Sequence, residues 1–564
     1  MSLASPLDRR TFLRLCTAAG ITSTVLADQL FAQAQQGVAI TKEMIADVER
    51  VAGLSFTDAQ REMMANGLKD NLRAYERLRA IALDNSVPPA LVFQPHLPSM
   101  KLDTVAREPI YSEPQPLDVP DDLEQLAFAP VLQLARLLRE GDVSSVDLTR
   151  MYLNRLKRHG DRLHCVVTLT EERALQQAER ADREIAAGNY RGPLHGIPWG
   201  AKDLLATKGV RTTWGAEPYQ DQIIDADATV VERLDAAGAV LVAKLSLGAL
   251  AMGDVWFGGT TLNPWDEKTG SSGSSAGSAA ATVAGLVGFA LGTETLGSIV
   301  SPCTRCGATG LRPSFGRVSR HGAMALSWSM DKIGAIARCV EDCAAVLHAI
   351  CGPDGRDPSL VDVPFRFDAR VAPGELRVGY LAGGFEGGRR GGDAHRQTLE
   401  VLKQLGAKPE PVTLPSYPLD ALGIILSAEA ATAFDDLTRS EDINRLKRQS
   451  PDAWPNLFRS ARAIPAVEYL RANRVRTLLM RDMAQVMAKV DVLVTPSYAG
   501  NVLMLTNLTG HPCVVLPNAA DDKGRPTQSI SFIGGLFEEG KALALARAYQ
   551  EATDFHRRHP ALEG

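Results

Sequence analysis

Between Gly270 and Pro313 the chain runs GSSGSSAGSAAATVAGLVGFALGTETLGSIVSPCTRCGATGLRP. Gly, Ala and Ser dominate it, and its only charges are Glu294, Arg305 and Arg312. Such a stretch constrains the fold strongly. Small side chains let backbones approach one another and a ligand closely, and glycine takes turns that other residues resist. The 17 residues from Ala276 to Gly292 are uncharged, so they belong in an interior. They are marginal in length for a bilayer span and rich in Ala and Gly rather than Leu and Ile. A tightly packed helix inside a soluble enzyme is expected, with no stable membrane span.

The flanking segments set the fold class. Trp199–Ala201, Ala239–Ala243, Leu376–Leu381, Asp491–Thr495 and Pro512–Pro517 are short apolar runs suited to buried strands. Helical patterns at Thr229–Ala237, His395–Leu405 and Leu536–His556 alternate with them. This alternation predicts one large α/β/α domain around a mixed, mostly parallel sheet, over residues 121–564. Ahead of it, residues 35–120 are expected to form a helical segment and a Pro-rich extended linker. Met64, Leu68, Leu72, Tyr75 and Leu78 recur at steps of three and four after the helix-start residues Ser55–Ala59. They predict an amphipathic helix over Asp58–Ile81 that docks on the main domain, with a dimer interface or a lid as alternatives. Ser144 and Asp147 have the spacing of a capping box and open a helix that runs to His159.

Residues 1–34 are a targeting segment. Arg9 and Arg10 precede Phe12 and Leu13, a modest apolar stretch to Ala27, and Ala32-Gln33-Ala34. Twin arginines ahead of such a stretch and an A-x-A site resemble a Tat export signal, which predicts the twin-arginine export machinery as a partner and a periplasmic or secreted destination. The net charge of −5 argues against a nucleic-acid partner, since such proteins carry a basic footprint. Eight cysteines are scattered over 564 residues and make no disulfide framework. Cys303 and Cys306 are the closest pair. They are expected to be small buried thiols, with a disulfide or a metal site as alternatives.

Three polar residues stand out as a set. Ser298 follows a small-residue turn, Thr295-Leu296-Gly297, where adjacent backbone N–H groups can converge on a developing oxyanion. A serine hydroxyl needs a base. Lys202, in GPLHGIPWGAKD, suits the task if buried, because burial disfavours the charged amine. Ser–Lys pairs are one recurring way of activating serine. Ser274 both donates and accepts, so it can relay a proton from Ser298 to Lys202. Alternatives remain at this level. His195 lies near the lysine, and Gly273–Gly277 spells G-x-S-x-G around Ser275, but polar NPWDEKTGSS precedes it where a strand is needed. Asp203 could neutralise Lys202 in an ion pair. A phosphate loop would require a G-K-[ST] ending that is absent.

Taken together, four blocks resemble the amidase signature family. They are GPLHGIPWGAKDLLATKGVRTTWGA, the Gly270 stretch, CGATGLRPSFGRVSRHG with SMDKIGAIAR, and DVLVTPSY with NLTGHPCVVLP. The resemblance runs from about Ala127 to the C-terminus and is weak between Gly352 and Gln485. It implies a single α/β/α amidase-signature domain. It also implies Lys202 as base, Ser274 as a bridging serine after a cis Gly273–Ser274 peptide, and Ser298 as nucleophile. The N–H groups of Thr295, Leu296, Gly297 and Ser298 would form the oxyanion hole. Two departures fall beside the nucleophile: Leu296 stands where the family has Gly, and Val300 where it has Arg. The second leaves Glu294 without its usual partner, and Arg305 is the candidate replacement.

The implied activity is that of a serine amidohydrolase on a linear C–N amide bond of a small acyl, aryl or peptide amide, with no cofactor and no metal. The alternatives are the glutaminase-like subunit of a tRNA-dependent amidotransferase, against which the export segment argues, and a non-catalytic binding protein retaining the fold. Pocket walls are expected from Gly248–Gly259, Ala323–Ser329 and Ser427–Arg474. Homodimer assembly is left open.

Overall fold

The computed structural model describes residues 40–81, 83–385 and 392–562. The expected export segment, residues 1–34, lies outside the described residues. The chain divides into two units, Met1–Val87 and Pro88–Gly564. In the first, α1 (Lys42–Ala52) and α2 (Asp58–Arg79) are joined by an Arg61–Glu49 ion pair at 2.9 Å. Thr57 caps α2 with a reciprocal box: its hydroxyl takes the Gln60 N–H, and Gln60 takes the Thr57 N–H at 2.7 Å.

The second unit is built on an eleven-stranded sheet. Its strands are β1 (Val166–Leu169), β2 (Pro198–Lys202), β3 (Val240–Leu245), β4 (Phe289–Glu294), β5 (Thr309–Arg312), β6 (Lys332–Ala337), β7 (Val378–Leu381), β8 (Glu410–Val412), β9 (Val492–Pro496), β10 (Cys513–Ala520) and β11 (Pro526–Gly534). They lie in the order β1-β3-β2-β4-β6-β5-β10-β11-β9-β7-β8. The α/β class and the mixed sheet are as expected, but the balance of pairings is not. β2 is parallel to β3 and β4, and β7 to β8 and β9. The other six pairings are antiparallel. Part of the reason is that β5 and β6 are joined by a loop without a crossover helix, and β10 and β11 by the short link between Ala520 and Pro526, and such connections reverse a strand.

Helices cover both faces, among them α3 (Val131–Glu140), α4 (Ser145–His159), α5 (Glu171–Ala186), α6 (Ala276–Val283), α7 (Val300–Cys306), α8 (Ala466–Met487), α9 (Val502–Thr509) and α10 (Glu539–Thr553). Ser144 caps α4, accepting the Asp147 N–H at 3.0 Å. Strands such as β2, β3 and β4 are buried at every residue, which is why they show no alternation of apolar and polar residues.

The uncharged run from Ala276 to Gly292 is not one helix. Helix α6 closes at Gly285, where Leu286 N–H meets Ala281 O at 2.9 Å and Gly285 N–H meets Thr282 O at 3.2 Å. This paired closure is a helix stop, and the remaining residues enter β4. Among the described residues no helix is long and apolar enough to cross a membrane.

Topology brings the singled-out residues together. β2 and β4 are parallel neighbours, third and fourth in the order of the sheet, so their carboxyl ends, Lys202 and Glu294, emerge at the same edge. Ligands in open α/β sheets bind outside such strand ends.

Candidate active site

Lys202 ends β2 and is fully buried. Its Nζ lies 2.8 Å from Ser274 Oγ, 2.8 Å from Thr293 Oγ1 and 3.0 Å from Ser275 Oγ. Asp203 does not neutralise it. That carboxylate pairs instead with Lys244 at 2.9 Å, and both are wholly buried. Burial therefore drives the Lys202 amine well below the ordinary lysine value of 10.5, while Asp331 and Glu294 pull the other way at longer range.

The hydroxyl protons can be assigned by elimination. Ser275 Oγ donates to Thr293 O at 3.1 Å and accepts the Thr293 N–H at 3.1 Å. Its proton is committed, so towards Lys202 it can only accept. Ser274 Oγ has no second partner among the described residues, so its proton is free to point at a neutral amine. The Gly273–Ser274 peptide is cis, as the resemblance implies. A Cβ at Gly273 would stand 1.8 Å from Gly253 O, so only glycine admits the 248–259 segment this close.

Ser298 lies in the turn between β4 and α7. Its carbonyl accepts the Ser275 N–H at 3.1 Å, which ties the two serine segments together. Lys202 and Ser274 touch directly; Ser298 joins them through this backbone bond, and its hydroxyl makes no hydrogen bond among the described residues. Exposure rises from 0% at Lys202 through 1% at Ser274 to 8% at Ser298. The amine is thus at the bottom of the site and the Ser298 hydroxyl at its mouth.

The turn itself is ordered by a carboxylate. Glu294 Oε2 accepts the N–H groups of Ile299 and Val300, each at 2.9 Å. Its Oε1 accepts Arg312 Nη1 at 2.6 Å and Asn507 Nδ2 at 2.8 Å. The two N–H groups after Ser298 are therefore taken, while those of Leu296, Gly297 and Ser298 have no acceptor among the described residues. Gly297 takes φ +88°, the left-handed region, and Leu296 is not among the positive-φ residues. The glycine missing at position 296 therefore costs the turn nothing. The partner of Glu294 is also corrected. Arg305 is exposed, and its side chain's one hydrogen bond among the described residues is to Gly270 O. Arg312, wholly buried, supplies the cation and is held in turn by Thr506 Oγ1 and His511 O at 2.9 Å each.

The expected pocket walls converge on the same loops. Asp331 Oδ1 accepts the Thr295 hydroxyl at 2.6 Å, and its Oδ2 accepts the N–H groups of Leu326 and Ser327 at 2.8 and 2.9 Å. Glu429 accepts Ser329 N–H at 3.0 Å and Tyr469 Oη at 2.8 Å. Ser275, Thr293, Asp331 and Arg312 all shape the site. In the sequence Ser275 stands out only as the centre of a discounted G-x-S-x-G match and Arg312 only as one of two cations in the signature stretch, while Thr293 and Asp331 carry no signal. Cys303 and Cys306 are buried free thiols, and no metal-binding cluster of His, Cys, Asp or Glu occurs among the described residues.

Known proteins share this arrangement of segments. A sequence profile of the amidase family matches residues 147–533. A glutamyl-tRNA(Gln) amidotransferase subunit from Moorella thermoacetica is 33% identical over 488 residues, covering 78% of this chain and 99% of the relative. The same subunit from Geobacillus stearothermophilus is 35% identical over 485 residues, covering 77% and 99%. Native peptide amidase from Stenotrophomonas maltophilia superposes with a TM-score of 0.69 at 31% identity, over 78% of this chain and 100% of that one. A match that spans most of the domain, with the Gly/Ser stretch inside it, makes this chain a member of the amidase signature family.

Proposed function

We propose that this chain cleaves a carboxylic amide by acyl transfer through Ser298. The observation that carries the reading is the wholly buried Lys202 amine, without a carboxylate partner among the described residues and seated on Ser274 Oγ at 2.8 Å. In this reading Ser298 Oγ attacks the carbonyl carbon while its proton passes to Ser274, and the Ser274 proton passes to Lys202. The N–H groups of Leu296, Gly297 and Ser298, with Thr295 beside them, hold the oxyanion. Lys202 returns its proton through Ser274 to the leaving nitrogen. Water then attacks the acyl-enzyme by the same relay and releases the acid.

The curated relatives are named for amide transfer and as one component of a larger enzyme, which favours glutamine as the amide cleaved and, for a chain kept in the cytoplasm, a glutaminase-like role with partner subunits over the free-standing amidase expected from sequence. Glutamine is therefore the first substrate to test. The free-standing reading keeps two supports, the likeness to peptide amidase and the export segment, which would separate the chain from tRNA. Ammonia release would be measured from glutamine and from small acyl, aryl and peptide amides, with Ser298→Ala as control. Ammonia from glutamine that Ser298→Ala abolishes is the expected result. Turnover of simple amides with glutamine untouched returns the free-standing amidase. No turnover, and no labelling of Ser298 by a fluorophosphonate, leaves a binding protein on an amidase fold.

A further inference from the structure

A cleft of about 250 Å³ opens between the linker around Met100, the C-terminal half of α8 and the loop before α10. Lys202, Ser274, Ser298 and the turn at Thr295–Gly297 take no part in its lining. Met100, Met480, Met487, Leu536 and Phe537 form its walls, and Thr509 and His511 belong to its floor. An apolar cavity of about 150 Å³ is enough to hold benzene, and methionine side chains adapt to varied apolar shapes. At the rim, Asp103 and Glu538 both pair with Arg366, and Lys101 stands out in solvent. No buried charge therefore asks for a charged occupant.

The floor carries one unused polar atom. The Thr509 hydroxyl gives its proton to Leu505 O at 3.0 Å. Its oxygen must then accept from His511 Nδ1, 2.8 Å away. That bond fixes His511 as the Nδ1–H tautomer. Burial, with Arg312 nearby, drives its pKa down to about 3, so the ring is neutral at any working pH. Nε2 is left as a lone-pair acceptor with no partner among the described residues, on a side chain only 3% exposed. Nε2 is not among the buried atoms sealed off without a partner, so it is open to the cleft that His511 lines, and a ligand donor would take the place of water there.

We propose that this cleft is a second ligand site, for a small apolar molecule of aromatic size that carries one O–H or N–H donor for His511 Nε2. Phenol and toluene are matched probes, alike in shape and differing in the donor. Each would be titrated into the intact chain while isotope-labelled methionine methyls are followed by NMR, with Met→Leu variants for assignment. Phenol should shift the methyls of Met100, Met480 and Met487 saturably. His511→Phe keeps a ring and removes the acceptor, so the preference for phenol over toluene should fall about fivefold, the size of one neutral hydrogen bond. Met480→Trp fills the cleft and should abolish both sets of shifts. The proposal is overturned if low-millimolar phenol shifts none of these methyls, or if Met480→Trp binds it unchanged. An unaltered phenol preference in His511→Phe overturns it equally.

Discussion

Lys202 rests on three hydroxyl oxygens and has no carboxylate partner among the described residues, so its pKa is set by burial, and that gives it a pH signature. The relay needs the neutral amine. Acylation of Ser298 should therefore fall as pH drops through the depressed Lys202 value and level off above it. The stability sign follows separately. An unfolded lysine holds its proton up to about 10.5, whereas the folded one loses it well below. Between those limits the unfolded state binds more protons, so stability rises with pH across that window. Lys202→Met should lower the acylation rate about 10²–10⁴-fold. It should also raise stability near neutral pH by about 1–3 kcal/mol, as removal of strained functional groups often does. Chemical denaturation across pH checks the second effect, and a Met variant that acylates at the original rate would remove Lys202 from the relay. Lys202, Ser274 and Ser298 were legible because they sit in distinctive blocks at characteristic spacing. Ser275 and Thr293 were not, because hydroxyls are common in this stretch and only the hydrogen-bond geometry shows which protons are committed.

At the level of elements, the turn after β4 is held by one carboxylate that bonds α7 on one side and Arg312 of β5 on the other. Arg312, with the backbone N–H of Val300 and the Asn507 amide assisting, holds the Glu294 carboxyl down to about 2, against its burial, from an ordinary 4.5. Because the folded value is the lower one, this contribution to stability is complete above about 4.5 and is lost as pH falls towards 2. Arg312→Met should cost about 3–5 kcal/mol, since it strands a buried carboxylate. It should also slow fluorophosphonate labelling of Ser298, because the N–H groups of Ile299 and Val300 lose a fixed anchor. A variant with wild-type denaturation and wild-type labelling would show that Arg312 neither stabilises nor orders the turn. The sequence signal for these elements was uneven. β9 and β10 announce themselves with Val-rich runs. β4, FALGTE, and β6, KIGAIA, do not, because Gly and Ala fit a strand buried on both faces between close helices but carry little strand propensity. Hence α6 and β4 looked like one helix until the turn at Gly285 separated them.

At the scale of the whole chain, the α/β/α architecture was readable from alternating runs, while strand direction was not, because it depends on which strands, often far apart in sequence, become neighbours. Destination is the remaining question, and it bears on the thiols. Cys165, Cys303, Cys306, Cys343 and Cys513 are buried and free. Burial pushes the Cys165 thiol up to about 12 and the Cys513 thiol up to about 11. Thiols of this kind hold their protons and react slowly, so a chain folded in the cytoplasm can enter an oxidising compartment without forming disulfides. That is the order of events twin-arginine export imposes, and we propose that Arg9 and Arg10 direct it. Residues 1–40 fused to a reporter should carry it out of the cytoplasm, and Arg9→Lys with Arg10→Lys should retain it. Full-length protein recovered from the periplasm should show these five cysteines unreactive to a thiol reagent when native and fully reactive once unfolded. A reporter that stays in the cytoplasm with both arginines intact would defeat the export reading and return tRNA-dependent partners to reach. Mixed disulfides among the buried cysteines would instead mean that the chain reaches the oxidising side before it has folded.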